Sequence, residues 1–300
     1  MRFYREKCLL ALMEGISDWT SGIKIQKLMF LLSDRQDERS YHFMPYKYGC
    51  YSMQLSQDLR NLVKEEFLLC REIEGHKEYR IAREDLRIRF LLKEGDNQEL
   101  SNIIRRYSDF TSEELMRYTY LQYPFFATKS VVAETLLSKK EYAMIEASRP
   151  IKKGRILFTI GYEGKSLEQY IVALLQNDVR VLCDVRKNAY SQKFGFSKSQ
   201  LMKACEAVEI NYIHLPNLGI ISEKRKELKS QEDYDSLFND YEITVLNEAR
   251  NELNKLYYLI QNQERIALTC FEKDPQQCHR SRIANKLISI PQCNYSLYNL

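Results

Sequence analysis

Between Ile266 and Arg280 the chain reads Ile-Ala-Leu-Thr-Cys270-Phe-Glu272-Lys-Asp274-Pro-Gln-Gln-Cys278-His279-Arg280, bringing thiols, carboxylates, an imidazole and a guanidinium into one short stretch. Three chemistries are open to such a set. A thiolate nucleophile is the first, with Cys278 at a helix N-terminus beside His279 and Arg280, where its pKa would be lowered. Zinc ligation is the second, by Cys270, Cys278 and His279 with His214 or Cys183 as fourth ligand. The spacing is not the paired Cys-x-x-Cys of structural sites, and adjacent Cys and His seldom both reach one tetrahedral ion. Acid–base work is the third. Asp184 or Glu272 would be the general base, its pKa raised by burial, with Asp274 and Tyr162 beside it. The structural alternative for Asp184 is an ion pair with Arg186 or Arg280, since a buried carboxylate is costly unless paired.

These residues need elements to hold them. Ile266 to Cys270 is an apolar run that reads as a buried strand, and the segment after Arg280 spaces its apolar residues like a helix. The same alternation runs from Ile156 onward. Ile156–Ile160, Val179–Asp184 and Asn211–His214 read as strands, Ser166–Leu175 and Ser199–Val208 as helices, and a long charged insertion leads into helices over 230–262. Such alternation implies a parallel sheet covered on both faces, a Rossmann-like α/β domain. The carboxyl ends of parallel strands share one edge, where such folds bind their ligands. That edge would collect Tyr162 and Glu163, then Asp184 and Arg186, then Lys198, then His214, then the Cys270–Arg280 junction, all as walls of one pocket. Asp184, Glu272, Asp274, Tyr162 and Cys278 are the catalytic candidates. Glu163, Arg186, Lys198, His214, His279 and Arg280 are the candidates for binding substrate, with Arg186, Lys198 and Arg280 holding a phosphate and Tyr162 and Phe196 able to stack a base. No cofactor is required by this reading, zinc being the alternative.

Residues 1–150 have a different grammar, and a basic stretch from Arg149 to Arg155 makes a plausible linker to 151–300. Lys24–Leu32 reads as a helix capped by Ser21 or Thr20. An aromatic-rich loop, Tyr41–Ser52, precedes a second helix over 53–66, and two short strands over 68–81 turn at Gly75. Helix, loop, helix and hairpin is the order of a winged-helix module. Polar helices follow, with a capping box at Thr111-Ser-Glu-Glu114.

With 44% hydrophobic and 29% charged residues the composition is that of a globular protein. No apolar run approaches the roughly 18 residues of a membrane helix, and the N-terminus lacks a signal-peptide core, so a cytoplasmic location is expected. A net charge of +4 permits nucleic-acid binding without demanding it. The eight cysteines are scattered and read as reduced thiols.

Two resemblances add to these readings. Thr159-Ile-Gly-Tyr-Glu-Gly-Lys-Ser, Asp184-Val-Arg, Gly195-Phe-Ser-Lys, Tyr212-Ile-His-Leu-Pro-Asn-Leu-Gly, Cys270-Phe-Glu-Lys-Asp-Pro and Cys278-His-Arg resemble, in order, the signature of the domain of unknown function 488 family over about 155–290. Where that signature has a proline soon after Asp-Val-Arg, this chain has Lys187-Asn-Ala-Tyr. Lys24–Leu32, Pro45-Tyr-Lys-Tyr-Gly49, Tyr51-Ser52 and the helix bearing Leu55, Asp58 and Leu59 resemble the Panacea (SocA-like) antitoxin domain, found in phage-associated and toxin–antitoxin proteins. The pairing of a winged-helix-like half with a polar cluster at the strand ends suggests an enzyme acting on DNA or a nucleotide, glycosylase-like or otherwise hydrolytic, in bacterial defence or repair, and the Panacea resemblance adds a toxin-like or phage protein as a partner to expect. The competing expectation is a non-catalytic, antitoxin-like or transcriptional regulator that senses a ligand through its α/β half.

Overall fold

The computed structural model describes residues 3–16, 18–83, 87–221, 228, 230–291 and 293–300. The chain divides into two compact units, Met1–Arg149 and Pro150–Leu300. Part of the charged insertion, residues 222–227 and 229, lies outside the described residues, as does position 86 at the start of the polar helices.

The first unit opens with α1 (Tyr4–Ile16), β1 (Thr20–Ser21) and α2 (Gly22–Arg35). The Ser21 hydroxyl caps α2 by accepting from Lys24 N, and the helix buries Ile25, Leu28, Met29 and Leu32. The aromatic segment expected to be a loop contains a two-stranded ribbon, β2 (Met44–Tyr46) and β3 (Gly49–Tyr51). Its tight turn rests on Gly49, whose φ is 88° and whose added Cβ would lie 2.4 Å from the Tyr120 ring. The rings of Tyr46 and Tyr51 stack across it at 4.7 Å. Ser52 then caps α3 (Met53–Lys64), which turns Leu55, Leu59 and Leu62 inward.

Next come β4 (Leu68–Ile73) and β5 (His76–Ile81). Their two-residue turn has positive φ at both Glu74 and Gly75, the geometry that matches strand twist in a hairpin. β1 joins this hairpin antiparallel to β5, giving the order β1-β5-β4. Five helices complete the unit: α4 (Glu94–Tyr107), α5 (Ser112–Gln122), α6 (Pro124–Ala127), α7 (Ala133–Leu136) and α8 (Lys139–Ala147). Both bonds of the capping box at Thr111 and Glu114 form.

The second unit comprises β6 (Ile156–Gly161), α9 (Leu167–Gln176), β7 (Val181–Asp184), α10 (Lys198–Glu206), β8 (Asn211–His214), α11 (Gln231–Ile243), α12 (Val245–Glu248), α13 (Arg250–Asn262), β9 (Arg265–Cys270), α14 (His279–Ile288) and β10 (Ser296–Asn299). All its strands are parallel, in the order β10-β6-β9-β7-β8. Every residue of β7 and β9 is buried, as expected of strands covered on both faces. Successive side chains point to opposite faces. Leu157, Val181, Cys183, Val185, Ile266 and Leu268 pack with Phe238, Tyr241, Leu256, Ile260 and Ile283, so the helices after β8 and after β9 cover one face. Asp184 and Thr269, register partners between those apolar positions, point to the other. Among the described residues no helix is long and apolar enough to cross a membrane.

Candidate functional site at the carboxyl edge of the sheet

The expected single pocket is instead two buried polar clusters, one on each face of the sheet, with a charged rim outside them. Asp184 ends β7 with no solvent exposure. Its Oδ1 accepts from Arg186 N and Nε at 3.1 and 2.8 Å, and its Oδ2 accepts from Arg186 Nη2 at 2.5 Å and from Tyr212 Oη at 2.6 Å. Arg186 Nη1 donates onward to Tyr162 Oη and the Phe196 carbonyl. The Tyr162 and Phe196 rings stack on each other at 4.4 Å with 10° between their planes, leaving no gap between them for a base. Asp184 thus sits in a fully hydrogen-bonded ion pair, held by Arg186 and not by Arg280. Burial and the Asp184 carboxylate push the Tyr212 hydroxyl far above the usual tyrosine range.

On the opposite face Cys270, Cys278 and His279 converge, all buried, with donor atoms within 4.8 Å of one another. His279 Nδ1 lies 3.7 Å from Cys270 Sγ and 4.0 Å from Cys278 Sγ. Its Nε2 lies 3.0 Å from the Val185 carbonyl, which must therefore accept from an Nε2–H. That bond fixes the tautomer and leaves the Nδ1 lone pair facing the sulfurs. Sequence spacing suggested that adjacent Cys and His would not both reach one point. They do here because Cys278 is extended (φ −137°, ψ 132°) while His279 begins α14. Burial drives the Cys278 thiol well above its ordinary range, opposite to the shift that a nucleophilic thiolate at a helix N-terminus requires. The Glu272 carboxylate approaches from one side, accepting from Cys270 Sγ at 3.3 Å.

His214, expected beside the thiols, has its Nε2 2.9 Å from the Arg186 carbonyl. The two imidazoles therefore engage successive carbonyls of the turn after β7. Arg280 is buried and locks the loop after β9, donating to Thr159 Oγ1 and to the carbonyls of Glu272 and Lys273. Close backbone approach makes this arrangement possible. A Cβ on Gly161 would lie 1.8 Å from the Glu272 oxygen, and one on Gly219 would lie 2.0 Å from Lys187 N.

The exposed rim lies over the ends of adjacent strands β6 and β9. Glu163 accepts from the Lys273 amide at 2.8 Å, and Lys193 Nζ donates to the Tyr162 carbonyl at 2.8 Å. Burial first, then Lys273 and Arg280, pushes the half-buried Lys165 amine down. Burial first, then Lys165, opposed by Glu163, does the same to Lys193. Lys165 and Lys193 therefore stand close enough to repel each other, with the Glu163 carboxylate attracting Lys193. Asp274 is exposed and caps the turn after it, and Lys198 is exposed on α10. A cavity of about 450 Å³ on the same edge is lined by Lys187, Asn217, Gly219, Tyr241, Glu248 and Glu252.

Tyr212 and Lys165 were not singled out from the sequence, and Lys193 and Lys273 were placed at the strand ends without a role. Tyr212 was within reach, since it shares a face with His214 by the two-residue period. The three lysines stand in the strand-end loops but gather only when β6 and β9 pair.

Residues 166–287 match the family model described as Domain of unknown function DUF488. A search among curated proteins found no match to the chain.

Proposed function

We propose that the protein is a nucleic-acid-directed hydrolase, acting at the edge where β6 and β9 end, with removal of a base from DNA as its reaction. The observation that carries this reading is the rim, where Glu163 accepts from the Lys273 backbone amide and attracts Lys193, and Lys165 stands near Lys193 and Lys273. The lysines would hold a backbone phosphate. Glu163, with Glu272 and Asp274 nearby, would orient a water and stabilise the positive charge that develops on the sugar as the base leaves. Water then adds to the anomeric carbon, its proton passes to the carboxylate, and the base departs with the electrons of the broken C–N bond. Asp184 is assigned to positioning: with Arg186 it sets the turn on which the rim stands.

The first unit supports a nucleic-acid partner. Helix, strand, helix, ribbon, helix and hairpin, with sheet order β1-β5-β4, supports reading the unit as winged-helix-like with β2–β3 inserted, in which α3 would enter the major groove. Helix α3 carries Gln54, Gln57, Arg60, Asn61 and Lys64, and its one acidic residue, Asp58, is buried and held by Arg5 and Tyr41. Its outer side is therefore basic and amide-rich. The Panacea-like sequence blocks point to a defence or repair setting with a toxin-like or phage protein as partner.

The test is incubation of the full chain with single- and double-stranded DNA, RNA and nucleotides, reading alkali-labile sites and released base. Product that disappears in Glu163→Gln and Lys165→Ala supports the proposal. A folded protein that alters none of these substrates but co-purifies with a stable protein partner would move the assignment to a non-catalytic, antitoxin-like regulator.

A further inference from the structure

The Cys270, Cys278 and His279 cluster has the dimensions of a coordination site, and we propose that it binds one zinc ion through these three residues. Zinc takes thiolate at about 2.3 Å and imidazole nitrogen at about 2.0–2.1 Å, so tetrahedral angles put sulfur and nitrogen about 3.6 Å apart. The observed sulfur-to-Nδ1 distances are 3.7 and 4.0 Å. Glu272 Oε2 lies 3.3 Å from Cys270 Sγ but outside the group of donor atoms within 4.8 Å of one another, which leaves the fourth position to a water or an incoming group.

The surroundings suit a metal in three further ways. His279 donates its far nitrogen to the Val185 carbonyl, the outer bond that orients metal-binding histidines and leaves the near lone pair available. Tyr241 packs edge-on against that ring at 5.6 Å and anchors its own hydroxyl on the Leu218 carbonyl. Two thiolates balance a divalent ion, and Arg280 stands beside them with its hydrogen bonds made to neutral oxygens. Two sulfurs and a nitrogen favour zinc over calcium or magnesium, which prefer oxygen. Cys183, His214 and Glu272 lie outside the cluster of donor atoms, so among the described residues the chain supplies three ligands there.

Zinc here would tie the end of β9 to the start of α14 and so hold the loop bearing Glu272, Lys273 and Asp274. The site stands whether or not the rim is catalytic, because metal content is read without any substrate. The experiment is elemental analysis of the full-length protein after dialysis, with cobalt titration of chelator-treated protein. About one zinc per chain is expected, falling at least tenfold in Cys278→Ser and Cys270→Ser and unchanged in Cys205→Ser. Cobalt should give a thiolate-to-metal charge-transfer band. Should the serine variants not fold, alkylation of the wild-type chain serves instead: Cys270 and Cys278 should be protected with zinc and modified after chelation. Protein isolated without zinc that gives no cobalt–thiolate band would overturn the site, as would zinc that leaves both thiols as reactive as chelator-treated protein.

Discussion

Neutralising Asp184 would leave the Arg186 guanidinium in the interior without its countercharge, facing an amide oxygen, Tyr162 Oη and the Phe196 carbonyl. Removing one partner of a buried pair costs about 3–5 kcal/mol, because the other charge is left uncompensated. Asp184→Asn is therefore expected to lower the urea midpoint by that amount. A drop under about 1 kcal/mol, a surface-pair value, would remove the ion pair from the account of how the rim is held. Glu163 is the contrasting case, since it is exposed and bonds a backbone amide across the rim. Glu163→Gln should leave stability within about 0.5 kcal/mol of the parent while activity falls, so the two carboxylates separate folding from chemistry.

Backbone approach governs the elements. The Glu272 carbonyl cannot rotate away from a Cβ at Gly161, so Gly161→Ala must push the ends of β6 and β9 apart. A loss of about 1–3 kcal/mol is expected, as for other overpacked positions. Gly95, inside α4 with open space around it, should respond with the opposite sign, Gly95→Ala gaining about 0.5–1 kcal/mol. Equal melting shifts for the two variants would contradict this.

At the end of α5, burial and a 2.8 Å bond to Asp34 push the Tyr123 hydroxyl up to about 12 from 10.0. The folded state then holds a proton that the unfolded state releases first. This contribution is complete below pH 10.0 and is lost as pH rises towards 12. Tyr123→Phe keeps the ring against Phe30 and should flatten the alkaline fall in stability, measured as urea midpoint against pH.

How much of this was legible follows from the same elements. β8 stands at the bounds read from the sequence, and β6, β7 and β9 lie within two residues of theirs, because buried parallel strands are near-continuous apolar runs. β10 escaped notice: Ser296–Asn299 is short, half polar and exposed, and it is a strand only through its pairing with β6. Ribbon β2–β3 hid in an aromatic segment for the same reason. Which face each site residue takes was written in the alternation along β7 and β9. The division into two clusters became visible only with the strand order, which no local pattern carries.

For the molecule as a whole, a net charge of +4 is too small to bind nucleic acid by bulk attraction, so the proposed binding would have to rest on local patches. Arg60→Ala and Lys64→Ala on α3 should each reduce the salt slope of DNA binding by about one, if each neutralises a phosphate. An unchanged slope in both would take α3 out of the interface. The most direct measurement is base release from DNA by the full-length protein, with Glu163→Gln run beside it at matched stability. The expected result is free base and alkali-labile sites from the parent, slowed about 10²- to 10⁴-fold in the variant, the range for loss of an acid–base group. Release at the same rate from both, or from neither on every nucleic acid and nucleotide offered, would contradict a catalytic rim at the ends of β6 and β9.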